Sequence, residues 1–294
     1  MEKRRLVIAF VVAMATLCSV SFAGGPLGPP ANLLKPGELA VDGAYFYEEM
    51  DIWGCGIWVE RYRTYGEGWG SWSSPSYSLS KIKLQDFQTN AWLGSIEYAF
   101  CDNWGVYARA GVSDAEADAH WWGESDKYPA DFGYGPAWQL GTNFNICQWG
   151  ACTIGGRLQI GAAYPDDWSD KYAGTYDSYD YIECVNGKFN YWQGLAYVGA
   201  LYQLNDAWQL YGGIGWQTLQ GTLDVKYNET EYYDGDPASQ YAGSESMKLK
   251  HVSPIGVFGV MWKPPIDNAR VGAELLVGEA GKFGVGFTGT IPIP

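Results

Sequence analysis

His251-Val252-Ser253 places an imidazole and a hydroxyl two residues apart, on one face of an extended strand, as a general base stands beside a nucleophile. Asp118-Ala119-His120 offers a carboxylate and an imidazole in the same spacing. With 2 His in the chain, these pairs exhaust its histidine chemistry. Both are two-residue patterns that chance supplies easily. Alternation through 252–262 also sends Val252, Phe258, Val260 and Trp262 to the apolar side, opposite His251 and Ser253. The expectation is a protein that is not an enzyme. A hydrolase using His251 and Ser253, or Asp118 and His120, is the residual alternative.

Carboxylates form two clusters: Asp114, Glu116, Asp118, Glu124, Asp126 and Asp131, then Asp166, Asp167, Asp170, Asp177, Asp180 and Glu183. Hard oxygen ligands suit calcium or magnesium, yet EF-hand spacing is missing. Solvated loops are expected, with divalent cations bridging to an anionic surface as the weaker alternative. No cofactor and no dedicated metal site are expected. After Cys18, the cysteines are Cys55, Cys101, Cys147, Cys152 and Cys184. Cys147 and Cys152 bracket a four-residue turn and could bridge across a hairpin in an oxidising compartment, with Cys101 a competing partner.

The elements that would position these groups follow a leader. Glu2-Lys3-Arg4-Arg5, an apolar run from Leu6 to Val20 and Ser21-Phe22-Ala23 read as a signal peptide over 1–23. The apolar run is shorter than the about 20 residues of a spanning helix. Residues 24–37 are Pro/Gly-rich and read as a periplasmic lead-in; 38–294 read as one β domain. Removing 3 basic residues and 1 acid from 19 Lys+Arg and 33 Asp+Glu leaves 16 against 32, a net charge of −16, which argues against nucleic acid. Aromatics are 16% of the chain, with 15 Trp and 22 Tyr, and charged residues only 18%.

Ten strand-like runs, 38–65, 83–100, 105–114, 134–146, 152–164, 188–203, 208–225, 247–262, 269–277 and 283–291, alternate between short turns and long polar loops. The long loops are Gly66–Ile82, Ala115–Gly133, Pro165–Gly187 and Lys226–Ser246. That asymmetry, with a period of two, predicts an all-β, antiparallel up-and-down transmembrane barrel of about ten strands, with eight or twelve open. Trp208, Leu210, Ile214 and Trp216 share one face; Gln209, Tyr211 and Gln217 share the other. The run 188–203 is ambiguous, because Leu195 and Tyr197 alternate with Ala196 and Val198 and both faces are apolar. An aromatic girdle is expected from Trp92, Trp104, Trp138, Tyr164, Trp208, Trp216 and Trp262. Lumen-facing polar residues are expected to be Glu97, Arg109, Gln139, Asn143, Arg157, Gln159, Gln209, Gln217, Arg270 and Glu274. Their charges would pair with one another in a narrow interior; a polar conduit, favoured weakly by lumen glycines, is the alternative.

Asn205-Asp206 followed by Trp208-Gln-Leu-Tyr-Gly-Gly-Ile-Gly215, and Asn103-Trp104-Gly-Val-Tyr-Ala-Arg-Ala-Gly111, resemble the turn-and-strand units of small outer-membrane barrels of the OmpA, OmpW and opacity-protein kind. The chain ends Ile291-Pro292-Ile293-Pro294, where such proteins end in an aromatic residue. The resemblance implies an outer-membrane location, with membrane lipid and the barrel assembly machinery as partners. It implies a structural or porin-like role. Surface binding through the acidic, aromatic-rich loops is one alternative and a hydrolase at the outer rim another. Oligomeric state stays open.

Overall fold

The computed structural model describes residues 28–293 except 67, 70, 122–127, 177–178, 266–268 and 280–281. The expected signal peptide over 1–23 therefore lies outside the described residues, as do Glu124, Asp126 and Asp177. Twelve strands form one antiparallel sheet: β1 (Leu39–Gly66), β2 (Gly68–Trp69), β3 (Ser76–Cys101), β4 (Trp104–Trp121), β5 (Tyr128–Trp149), β6 (Cys152–Ala163), β7 (Trp168–Tyr176), β8 (Tyr179–Gln203), β9 (Trp208–Tyr233), β10 (Asp236–Trp262), β11 (Arg270–Val277) and β12 (Phe283–Ile293). β12 pairs back onto β1, which closes a ten-stranded ring of β1, β3, β4, β5, β6, β8, β9, β10, β11 and β12. β2 extends only the tip of β1, and β7 pairs with β8.

Hydrogen-bond register fixes the shape of the ring. From Trp208 the paired residues run Trp262, Val271, Gly289, Gly43, Gly94, Ala110, Trp138, Ala162, Trp192 and Gln220. One circuit thus returns to β9 at 220 rather than 208, a shear of 12 residues. Ten strands with that shear tilt by about 40° from the axis.

The apolar outer band is bounded by aromatic rings at both ends. Trp104, Trp208 and Trp262 mark the lower end, joined by Tyr202; Trp92, Trp138, Tyr164 and Trp216 mark the upper end, joined by Trp192. Trp208 and Trp216 are eight residues apart, roughly 20 Å of height at this tilt. The run that was apolar on both faces resolves: Leu195 and Tyr197 are buried inside, whereas Trp192 and Tyr202 face out.

Above the upper girdle the structure departs from the sequence reading. The expected long loops are strands for most of their length: β3 begins at Ser76, β4 runs to Trp121, β8 begins at Tyr179 and β9 runs to Tyr233. The reason is an inversion of polarity along unbroken strands. On β9 the apolar residues below the girdle are even-numbered and outward, ending at Trp216; above it they are Leu219, Leu223 and Val225, odd-numbered and inward. Lipid requires an apolar exterior, whereas water requires an apolar interior.

The wall also narrows there. β12 pairs β1 only as far as Gly284 against Glu48; from Trp53 against Lys250 upward, β1 pairs β10 directly. Register shifts in β1 and β3 mark this shoulder, where Asp86 takes a left-handed φ of 51°. Lys282, at the tip of the β11–β12 hairpin, is held there by Asp86 at 2.5 Å, Glu49 at 2.7 Å and Asp51 at 3.6 Å.

Two further features bear on the sequence reading. The lead-in enters the barrel: among its described residues, Gly28, Ala31, Asn32 and Leu34 are buried in the lower mouth. Cys147 and Cys152 form no disulfide, and all five described cysteines are free. A register shift beside Cys147 sets it opposite Ile154, while Cys152 lies opposite Trp149.

Candidate functional site

The interior has three layers. The lowest is polar and contains the residues expected in the lumen. Arg157 lies 4.1 Å from the centre of the Tyr107 ring and donates from Nε to the Tyr107 hydroxyl at 2.9 Å. Tyr107 in turn donates to Gln159 at 2.7 Å. Arg109 lies 4.7 Å from the same ring and donates to Gln139 and Gln159, both at 3.4 Å. Asn143 donates to Glu97 at 2.6 Å, and Tyr211 to Glu274 at 2.9 Å. Gln217 donates to Glu48, and Gln209 to Gln203 at 2.5 Å. The lead-in completes this layer. Gly28 donates its N–H to Glu274 at 2.8 Å, Arg270 donates to the carbonyl of Leu33 at 2.7 Å, and Asn32 donates to that of Cys101 at 3.0 Å.

Tyr211 is on the face it was expected to share with Gln209 and Gln217, whereas Tyr107, Tyr197 and Glu48 were not among the expected lumen residues. The parity that sends Arg109 inward also sends Tyr107 there. These rings occupy the space that the lumen glycines had suggested. A Cβ on Gly141 would meet the Tyr107 ring at 2.1 Å, and one on Gly259 would meet Tyr211 at 2.1 Å.

Above this lies a dry layer. Phe87, Phe132 and Phe189 are all 0% exposed, among Ile52, Leu84, Leu219, Met247 and Leu249. Phe189 touches three rings: Phe87 at 5.5 Å edge-on, Phe132 at 5.6 Å and Tyr191 stacked at 5.1 Å. The Tyr191 hydroxyl lies 3.0 Å from Thr89 and 3.2 Å from Ser113.

The third layer is a cup of about 990 Å³ open at the top of the narrowed wall. Val185, Val225 and Trp168 lie lowest; Trp58, Trp121, Tyr128, Tyr227 and Tyr241 line its sides, with Glu60, Glu183, Glu229 and Glu231 among them. Glu183 and Glu229 stand directly opposite each other on β8 and β9. Burial, then the charge of Glu229, raises the carboxyl of Glu183 above its usual range. Burial and the hydrogen bond to Glu60 raise the Tyr241 hydroxyl to about 12. Glu60 is held low by hydrogen bonds from Tyr241, Ser76 and Trp58. Like charges placed face to face without an intervening cation are unfavourable, so the cup is prepared for positive charge. Aromatic faces beside the carboxylates suit the same partner.

The other candidates lie elsewhere. Asp118 and His120 are on β4 positions that face the outer wall, and His251 and Ser253 face inward near the shoulder, with Ser253 3% exposed. Neither pair lines the cup. Among the described residues, no three His, Cys, Asp or Glu side chains converge as a metal site.

No family model matches the chain, and no curated protein does. Solved structures with a similar arrangement include the outer membrane protease OmpT of Escherichia coli, 10% identical, covering 90% of this chain and 97% of that one with a TM-score of 0.40. OprG of Pseudomonas aeruginosa is 12% identical over 74% of this chain and 96% of its own, with a TM-score of 0.26. The attachment invasion protein Ail of Yersinia pestis is 12% identical over 87% and 97%, with a TM-score of 0.24. The chain itself is a closed, antiparallel up-and-down β-barrel with an aromatic-bounded apolar outer band. At these scores the likeness carries no activity over to this chain.

Proposed function

We propose that this protein is a closed surface-binding barrel of the outer membrane that captures a cationic ligand in its cup. In this reading it is exported behind the 1–23 leader, is not an enzyme, and presents the cup to the outside. The observation that carries it is the Phe87–Phe132–Phe189 layer, fully buried between the polar lumen and the cup. It supports a binding vessel with a floor over a polar conduit. The opposed Glu183 and Glu229, set among aromatic rings, support a positively charged guest.

The test is tryptophan fluorescence of the refolded barrel titrated with spermidine, alongside planar-bilayer recording. Saturable quenching that is lost in Glu183→Gln/Glu229→Gln, with no stable conductance, is the expected result. Steady single-channel steps, or quenching equal in the double variant, would overturn the reading.

A further inference from the structure

On a chain whose net charge is −16 after removal of the leader, four lysines stand together on one patch of outer wall. They are Lys81 and Lys83 on β3 and Lys248 and Lys250 on β10, and β1 runs between them. Register makes the patch a lattice. Trp53 has Lys250 on one side and Lys83 on the other; Cys55 has Lys248 and Lys81. With strands about 4.8 Å apart, lysines flanking one strand are about 10 Å apart, close enough for two ammonium groups to reach one phosphate.

The outward neighbours that register places beside Lys248 and Lys250 are Thr222, Gln220, Cys55 and Trp53. Lys248 donates to Thr222 at 2.8 Å. Lys83 lies 2.6 Å from Asp51 and 5.3 Å from the centre of the Trp53 ring. Asp51 also lies 3.6 Å from Lys282, so its charge is shared between two cations. The patch lines an open depression of about 960 Å³ whose apolar part includes Trp53 and Val252, 54% and 51% exposed.

Position decides what would occupy it. Pro254 is the register partner of the girdle residue Trp216, and Lys250 lies four residues farther up β10. That is about 13 Å along the strand and about 10 Å in height, so the patch begins just above the apolar band, where headgroups lie. The wall narrows at this level because the β11–β12 hairpin ends, which leaves a ledge beneath the lysines.

We propose that this shoulder is a binding site for a phosphorylated lipid of the outer leaflet. The lysines hold its phosphate, and its chains descend past Val252 and the hairpin into the membrane. The charge of the patch complements the headgroup, and its height matches the headgroup's depth.

The full chain, refolded in phosphatidylcholine vesicles, tests this with brominated bisphosphorylated lipid A, its dephosphorylated form and inorganic phosphate as probes. Quenching of tryptophan emission reports binding. The expected result is saturable binding of the phosphorylated lipid, weakened on the order of thirtyfold in Lys248→Gln/Lys250→Gln. That variant leaves the Lys83–Asp51 pair intact, so its fold can be checked by unchanged heat-modifiability. Lys171→Gln/Lys188→Gln, with the same loss of charge elsewhere, is expected to bind normally. Equal binding by the dephosphorylated lipid would overturn the phosphate site. Full competition by inorganic phosphate would overturn the lipid assignment, and undiminished binding in the double variant would overturn both.

Discussion

Phe189→Ala tests the dry layer most directly. The side chain is 0% exposed and packs on the rings of Phe87, Phe132 and Tyr191 at 5.1–5.6 Å. Truncating a buried phenylalanine costs about 3–5 kcal/mol through lost transfer energy and the cavity left behind. Well-oriented aromatic pairs contribute about 0.5–1.5 kcal/mol beyond area. Three such contacts place this residue in the upper half of the range, about 4–5 kcal/mol. The layer sits above the lipid band, so water is its reference and soluble-protein values apply. Urea unfolding of the barrel in lipid vesicles, followed by tryptophan emission, measures the change. A loss below about 1 kcal/mol would mean that the layer is loosely packed or wet, and the argument for a sealed floor would fail with it.

Lys282→Met is expected to loosen the shoulder by about 2 kcal/mol, reduced by partial exposure, because three carboxylates lose their shared cation. Burial pushes Asp51 up, but bonds from Lys83 and the Asp86 N–H, with the charge of Lys282, win and hold it below the usual carboxylate range. Its contribution is therefore present above that range and lost as pH falls through the lowered value, so the difference between variant and parent in urea should shrink in strong acid. Tyr107→Phe removes the acceptor of Arg157 and the donor to Gln159, an expected loss of about 1–3 kcal/mol read in the same assay; an unchanged midpoint would argue against the network. The raised carboxyl of Glu183 should make spermidine binding decline at a higher pH than an ordinary glutamate would allow, and Glu229→Gln should move that decline downward. Thiol titration of the unfolded, non-reduced chain should count Cys147 and Cys152 as free.

Much of the lower barrel could be read from residue types alone. A period of two, tryptophans at both ends of strands such as β9, and Asn/Asp/Gly turns specify staves in lipid, and the ten lumen residues follow from parity. The upper wall could not be read in that way. On β9 the outward apolar face ends at Trp216, because from there the apolar residues change side, and the expected strand stops at 225 although the backbone continues to Tyr233. Lys226, where a loop was expected to begin, is with Asp224 the wet exterior of a strand whose Leu223 and Val225 are core. The cup was hidden for the same reason: Glu183, Glu229 and Glu231 lie on strands where loops were expected, and only Glu60 falls within an expected strand. The buried lead-in was hidden because its partners are distant in sequence, Gly28 meeting Glu274 and Asn32 meeting Cys101.

The direct pairing of β1 with β10 also bears on how the cylinder is built. Paired positions there sum to 303, as in Trp53 with Lys250 and Thr64 with Ser239. Continued downward, the same ladder would set Phe46 against Val257 and Ala44 against Gly259. Each of these four positions already faces inward. Inside and outside would therefore be preserved if the two strands zipped to the bottom. The β11–β12 hairpin is thus a two-stranded insertion into one continuous β1–β10 seam: it widens the lower half without changing which residues face inward on either side of the seam.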